Sequence, residues 1–219
     1  LDTSVAMEMT LSQEGQKVSV VSDMDLKCSG INTPDMKYAT DSAMTVSALG
    51  ITQQLDMQTY YYDGWCYTDM IGEKYKYATD LSTIMNSLQQ NMNTSNLTAA
   101  QMLDLSMTEE NGQTVLAFTA DPTQMNEQVK EALGLIGDQL ASLGEIAMDV
   151  HDVHGTYTIN KDGYYTAAHV IMSYEMSILG ISIPVDADIH MTFNNPGEPV
   201  NVELPDLSAY NEIELPEAD

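Results

Sequence analysis

Between residues 181 and 193 the chain alternates without a break. Ile181, Ile183, Val185, Ala187, Ile189, Met191 and Phe193 stand against Ser182, Pro184, Asp186, Asp188, His190 and Thr192. Successive side chains of a strand point to opposite faces, so this period of two makes one apolar and one wet face. A helix cannot accommodate it. The pattern recurs along most of the chain. Val5, Met7, Met9 and Leu11 oppose Ala6, Glu8, Thr10 and Ser12. Val18, Val20, Met24, Leu26 and Cys28 oppose Lys17, Ser19, Asp23, Asp25 and Lys27. Met36, Tyr38, Met44 and Val46 continue it, followed by Leu55, Met57 and Tyr61. Glu14-Gly15, Asp63-Gly64, Ile71-Gly72, Asn111-Gly112 and Lys161-Asp162-Gly163 separate the runs as turn signals. Such a chain folds as hairpins and meanders with one buried face. Pro184 belongs at an edge, a strand start or a bulge. Val200–Leu204, between Pro199 and Pro205, reads as the last strand.

Two stretches depart from this period. After Asp80, the residues Leu81, Ile84, Met85, Leu88 and Met92 recur at helical steps. Asp121 is a good N-cap, and Pro122 suits the first helical position, where its missing N–H costs nothing. Met125, Val129, Leu133, Ile136, Leu140 and Leu143 then form one stripe up to Gly144, with Glu127, Lys130, Glu131 and Asp138 on the other side. A sheet with one apolar face needs a cover. The expected fold is therefore α+β: a single large curved antiparallel sheet, an open half-barrel, with amphipathic helices packed on its concave face. One domain over residues 1–205 and an acidic C-terminal tail over 206–219 are expected.

Composition narrows the function. Asp and Glu number 33 against 7 basic residues, for a formal net charge of −26. Arg is absent, so nothing grips a phosphate backbone and the field repels one, which excludes nucleic acid. The same field opposes an anionic membrane, so membrane attachment would require an anchor upstream of Leu1. No apolar run approaches the about 18 residues of a transmembrane helix, and no signal peptide is present. The start at Leu1 points to a processed N-terminus. There are 16 Met and 12 Tyr but only 2 Phe. Methionine is flexible and polarisable and suits changing partners, although a compositional bias of the lineage explains its abundance equally well. Cys28 and Cys66 can pair if their strands are neighbours. Both sit in strand-like runs beside apolar residues, which favours buried free thiols.

Residues of catalytic type are thinly arranged. His151, Asp152 and His154 with Asp186, Asp188 and His190 are the one gathering of metal-ligand types. His151 and His154 point to opposite faces of an extended strand, which does not suit a shared ion. Asp186, Asp188 and His190 share a face, but it is the wet one, and they read as solvated surface residues. No nucleophile elbow, phosphate loop or metalloprotease motif occurs, and neither an enzyme nor a cofactor is expected. Tyr60, Tyr61, Tyr62, Trp65, Tyr67, Tyr75 and Tyr77 read first as cross-strand pairs that pin register, and second as the rim of a ligand mouth.

The hairpin Tyr60-Tyr61-Tyr62-Asp63-Gly64-Trp65-Cys66-Tyr67, the strand Glu73–Tyr77 and the close Met191-Thr192-Phe193 followed by Pro199–Pro205 resemble the LolA/LolB and LppX/LprG carriers of lipoproteins and lipids. The resemblance covers order and style over nearly the whole chain. It implies an open half-barrel with helices as lid or plug around an apolar cavity, export, a lipid anchor upstream of Leu1 and no catalytic residues. The arginine of LolA-type carriers has no counterpart here. The expected protein is an exported, lipid-anchored, monomeric cell-surface binding protein holding a lipid or other apolar small molecule. Its expected lining is Met9, Met24, Met36, Met44 and Met57 from the first half of the chain. Met172, Tyr174, Met176 and Met191 line it from the second half, and Met85, Met125, Val129 and Ile136 from the helices. The alternative is a cell-surface interaction module with a filled core and an acidic binding face.

Overall fold

A computed structural model describes residues 1–13, 16–31, 33–79, 102–126, 146–178 and 181–213. The alternating runs become β1 (Asp2–Gln13), β2 (Gln16–Ser29), β3 (Lys37–Ala48), β4 (Ile51–Tyr62), β5 (Trp65–Met70) and β6 (Glu73–Ala78). The second half supplies β7 (Met102–Glu110), β8 (Gln113–Ala120), β9 (Ile146–Ile159), β10 (Tyr165–Ile178), β11 (Ile181–Phe193) and the short β12 (Asn211–Glu212). All belong to one large curved 12-stranded sheet in the order β12-β6-β5-β4-β3-β2-β1-β11-β10-β9-β8-β7. β1 to β6 form one antiparallel meander and β7 to β11 another. They are joined where β1 pairs with β11, from Thr3 opposite Phe193 to Leu11 opposite Val185. Among the described residues the order is linear, with β7 at one end and β12 at the other.

The expected α+β class is corrected to β. Among the described residues helical structure is confined to residues 122–126 and the 3-10 helix Leu207–Ala209, and no amphipathic helix packs on the face of the sheet. The stripe at 81–92, and that at 121–144 beyond Asn126, lie outside the described residues. The reason is that an amphipathic stripe expresses only a local preference. The strands satisfy most of one another's backbone groups along ladders that are interrupted only at β7/β8 and β9/β10. The helix start itself was legible: the Thr123 backbone N–H donates to Asp121 Oδ1 at 2.9 Å, as an N-cap requires.

A second correction concerns Val200–Leu204. This segment is not a strand and pairs with none among the described residues. Asn194 leaves β11 donating its backbone N–H to Asp2 O at 2.8 Å, and the chain then runs to β12, which pairs with β6 in parallel. Residues 194–210 thus form a strap, anchored by buried Val202 and Tyr210. Pro199 and Pro205 flank the presumed strand and lack the N–H groups a ladder needs.

Candidate functional site

Directly paired residues of an antiparallel ladder share a face, so the registers assign every strand residue to a side. Met9 lies opposite Val20 and Ala187, Met24 opposite Val5 and Ser42, and Met44 opposite Ser22 and Leu55. Met57 lies opposite Ser42 and Met70, and Met191 opposite Val5 and Ala168. Met172, Tyr174 and Met176 lie opposite Ala187, Val185 and Ile183. All of these fall on one face. Met125 is buried with Ala120, Val150 and Val153, against Val170, Met172 and Tyr174. Asn126 fixes that turn to β9, accepting the Val150 backbone N–H at 2.6 Å and donating to Asp149 Oδ1 at 2.8 Å. The Tyr174 hydroxyl reaches Met9 Sδ at 3.8 Å. Met36, just before β3, is fully buried at the end of this same face, beside Cys28 with Leu1, Leu26 and Tyr38. Met57 is exposed. Met85, Val129 and Ile136 lie outside the described residues.

Cys28 and Cys66 are free, buried, and on this same face. They stand on β2 and β5, about 14 Å apart at the usual strand spacing, too far for a disulfide. Burial holds both thiols above their ordinary range, with hydrogen bonds from Tyr77 and Thr68 opposing it at Cys66. The aromatic run pins register: Tyr60 faces Tyr67 and Tyr62 faces Trp65 across the hairpin. Tyr67 meets Tyr210 of the strap edge-on at 5.5 Å, and Lys76 Nζ sits 4.4 Å over the Trp65 ring.

Three concavities formed by described residues all border the strap: two open on the acidic side, and the smallest lies at the end of the methionine face, where Phe193 shares the side of Met191. An open cleft of about 480 Å³ is bounded by Asp2, Lys27, Ala39, Asn194, Glu198 and Glu203. A second, toward Asp25, Asp41 and Tyr60, shares its floor. A smaller one is apolar, between Leu1, Tyr165, Phe193 and Val200.

The opposite face is acidic, with Glu8 opposite Asp188 and Asp25 opposite Asp41. Asp188 and His190 are two apart on β11, and β10 sets His169 directly opposite His190. Nε2 of His169 lies 2.7 Å, and Nε2 of His190 3.1 Å, from the same oxygen, Asp188 Oδ1. The two rings stack at 3.9 Å and 12°. His154 does not join them and instead meets Asp152 at 2.9 Å. Asp186 sits one row away, opposite Ser173. His169 escaped the sequence reading, yet a signal existed. Ile178 pairs with Ile181 across the shortest connection, and counting outward from there places 169 opposite 190.

No curated protein matches the chain. Among solved structures it is similar to a β-barrel-like protein of domain of unknown function DUF1849 from Brucella abortus, at 13% identity, covering 86% of this chain and 98% of that one with a TM-score of 0.24. It is also similar to a putative AttH from Nitrosomonas europaea, at 8% identity, covering 89% of this chain and 53% of that one with a TM-score of 0.25. Neither overlap defines a function. The model of one family, described as a family of unknown function, DUF6612, matches residues 2–209. With that match running from the first strand to the 3-10 helix before the last, the chain belongs to the DUF6612 family.

Proposed function

We propose that this protein is an exported, non-enzymatic binding protein that holds a lipid or other apolar molecule against the methionine-rich face of its sheet. The observation that carries the reading is the register, which gathers Met9, Met24, Met44, Met172, Met176 and Met191 on one side, all half-buried. Half-buried thioethers keep rotamer freedom and adapt to ligands of varied shape. The thiols on this face are kept protonated by burial and are poor nucleophiles, which suits binding better than chemistry. The resemblance to LolA/LolB and LppX/LprG carriers points the same way and supports attachment to the cell surface through a lipid anchor.

Native mass spectrometry of the purified protein, followed by solvent extraction, tests the proposal. A bound lipid of defined mass is expected, either co-purified or taken up from mixed phospholipid vesicles. Substituting Met172→Glu should lower that occupancy at least several-fold, because a charge on the face must be desolvated by the ligand. An apo mass that persists after incubation with the vesicles overturns the reading. It would favour the second one, an interaction module working through its acidic side, for which the position of the open clefts along the strap speaks.

A further inference from the structure

We propose that His169, Asp188 and His190 form a binding site for a divalent transition-metal ion, with Zn²⁺ as the representative, on the acidic face of the sheet. The sheet itself builds the site. Two ligands at i and i+2 on β11 point the same way, and the register of β10 brings the third beside them without any loop having to fold over. Their nearest donor atoms all lie within 4.8 Å of one another. A tetrahedral ion with nitrogen and oxygen ligands at about 2.0–2.2 Å sets those ligands roughly 3.3–3.6 Å apart. The observed separations of 2.7 and 3.1 Å at Asp188 Oδ1 are within side-chain adjustment of that spacing. Both imidazoles already aim Nε2 at one point. An ion seated between these two nitrogens and Asp188 Oδ1 would take all three as ligands, with the ring proton of each histidine on Nδ1.

The surroundings supply attraction and access. Glu8 stands directly opposite Asp188 on β1, one strand spacing away, close enough to offer a further carboxylate. The net charge of −26 raises the local concentration of cations. His169 and Asp188 are part-exposed and His190 exposed, so an ion enters from solvent and retains at least one position for water. Two imidazoles with a carboxylate select Zn²⁺, Cu²⁺ or Ni²⁺ over Mg²⁺ and Ca²⁺, which prefer all-oxygen sites. The competing description is a surface carboxylate hydrogen-bonded to His169 and in contact with His190, whose ring stacks on that of His169.

Calorimetric titration with Zn²⁺ in a large excess of Mg²⁺ separates the two, because Mg²⁺ occupies generic carboxylate clusters. One Zn²⁺ per chain is expected, with the dissociation constant raised at least tenfold in each of His169→Asn, Asp188→Asn and His190→Asn. The double variant His151→Asn/His154→Asn should bind as the wild type does. Imidazole NMR of the unsubstituted protein is the second readout and does not depend on how the variants fold. Zn²⁺ should shift the ring signals of His169 and His190 and leave those of His151 and His154 in place. Absence of Zn²⁺ binding under Mg²⁺, unchanged affinity in folded variants, or shifts confined to His151 and His154 would each overturn the site.

Discussion

At Gly155 the packing leaves no room for a side chain. A Cβ built there would lie 2.3 Å from the backbone oxygen of His169 and 3.2 Å from Cζ of Phe118. Phe118 is buried, and its ring passes over the glycine to stack on Tyr157 at 5.3 Å and 17°. Glycine in a strand weakens it unless something must approach closely, and here both a backbone and an aromatic ring do. Gly155→Ala should therefore destabilise the protein by about 2–3 kcal/mol, the upper part of the overpacking range, since the atom it strikes is main chain. Urea unfolding checks this: the midpoint should fall with the slope unchanged. A midpoint equal to that of the wild type would mean that β9 and β10 shift apart freely at this row.

At the scale of the element, the hairpins divide into those whose turns are spelled in the sequence and those held against it. Asp63-Gly64 and Asn111-Gly112 are standard two-residue turns, with both residues at positive φ. Leu49-Gly50 and Ile71-Gly72 adopt the same geometry with Leu49 at φ 53° and Ile71 at φ 54°. Both residues are highly exposed, at 75% and 72%, so neither gains from packing. Left-handed backbone costs a side chain of this kind roughly 1–2 kcal/mol, and asparagine tolerates it far better. Leu49→Asn and Ile71→Asn should each add about 1 kcal/mol, seen by calorimetry as about 2–4 °C in Tm. An unchanged or lower Tm in the double variant would show that the flanking strands, rather than the turns, set those hairpins. The same division explains what was legible. Alternation revealed nearly every long strand, and Asp121 revealed a helix start. Val200–Leu204 misled because alternation specifies an extended backbone but not a ladder partner. The helical stripes lie almost wholly outside the described residues, and amphipathicity by itself says only that a face will be covered. His169 was hidden because a site across two strands exists only once their register is counted.

For the whole molecule, buried thiols and tyrosines set how stability answers alkaline pH. The carboxylates crowd the wet side. Burial raises Cys28, Tyr38 and Cys66 in the first meander and Tyr157 and Tyr174 in the second. Burial also pushes Tyr77 far upward and Tyr210 of the strap to about 12. Each of these groups is neutral when protonated, and its folded pKa lies above its unfolded value. The folded chain therefore holds more protons than the unfolded one at high pH. The stability they contribute is complete below the unfolded values of 9.0 and 10.0 and is lost as pH rises through the folded ones. Because such groups sit in both meanders and in the strap, their loss reaches every part of one continuous sheet. Stability should stay level with respect to these groups up to about pH 9 and then decline steeply, with alkaline unfolding as a single transition. Tyrosinate absorbance near 295 nm, followed together with far-ultraviolet circular dichroism, measures this. The buried tyrosines should ionise in step with loss of the strand signal. Ionisation of most tyrosines near pH 10 with the sheet intact would mean that water reaches the apolar face freely, and would weigh equally against a ligand being held there.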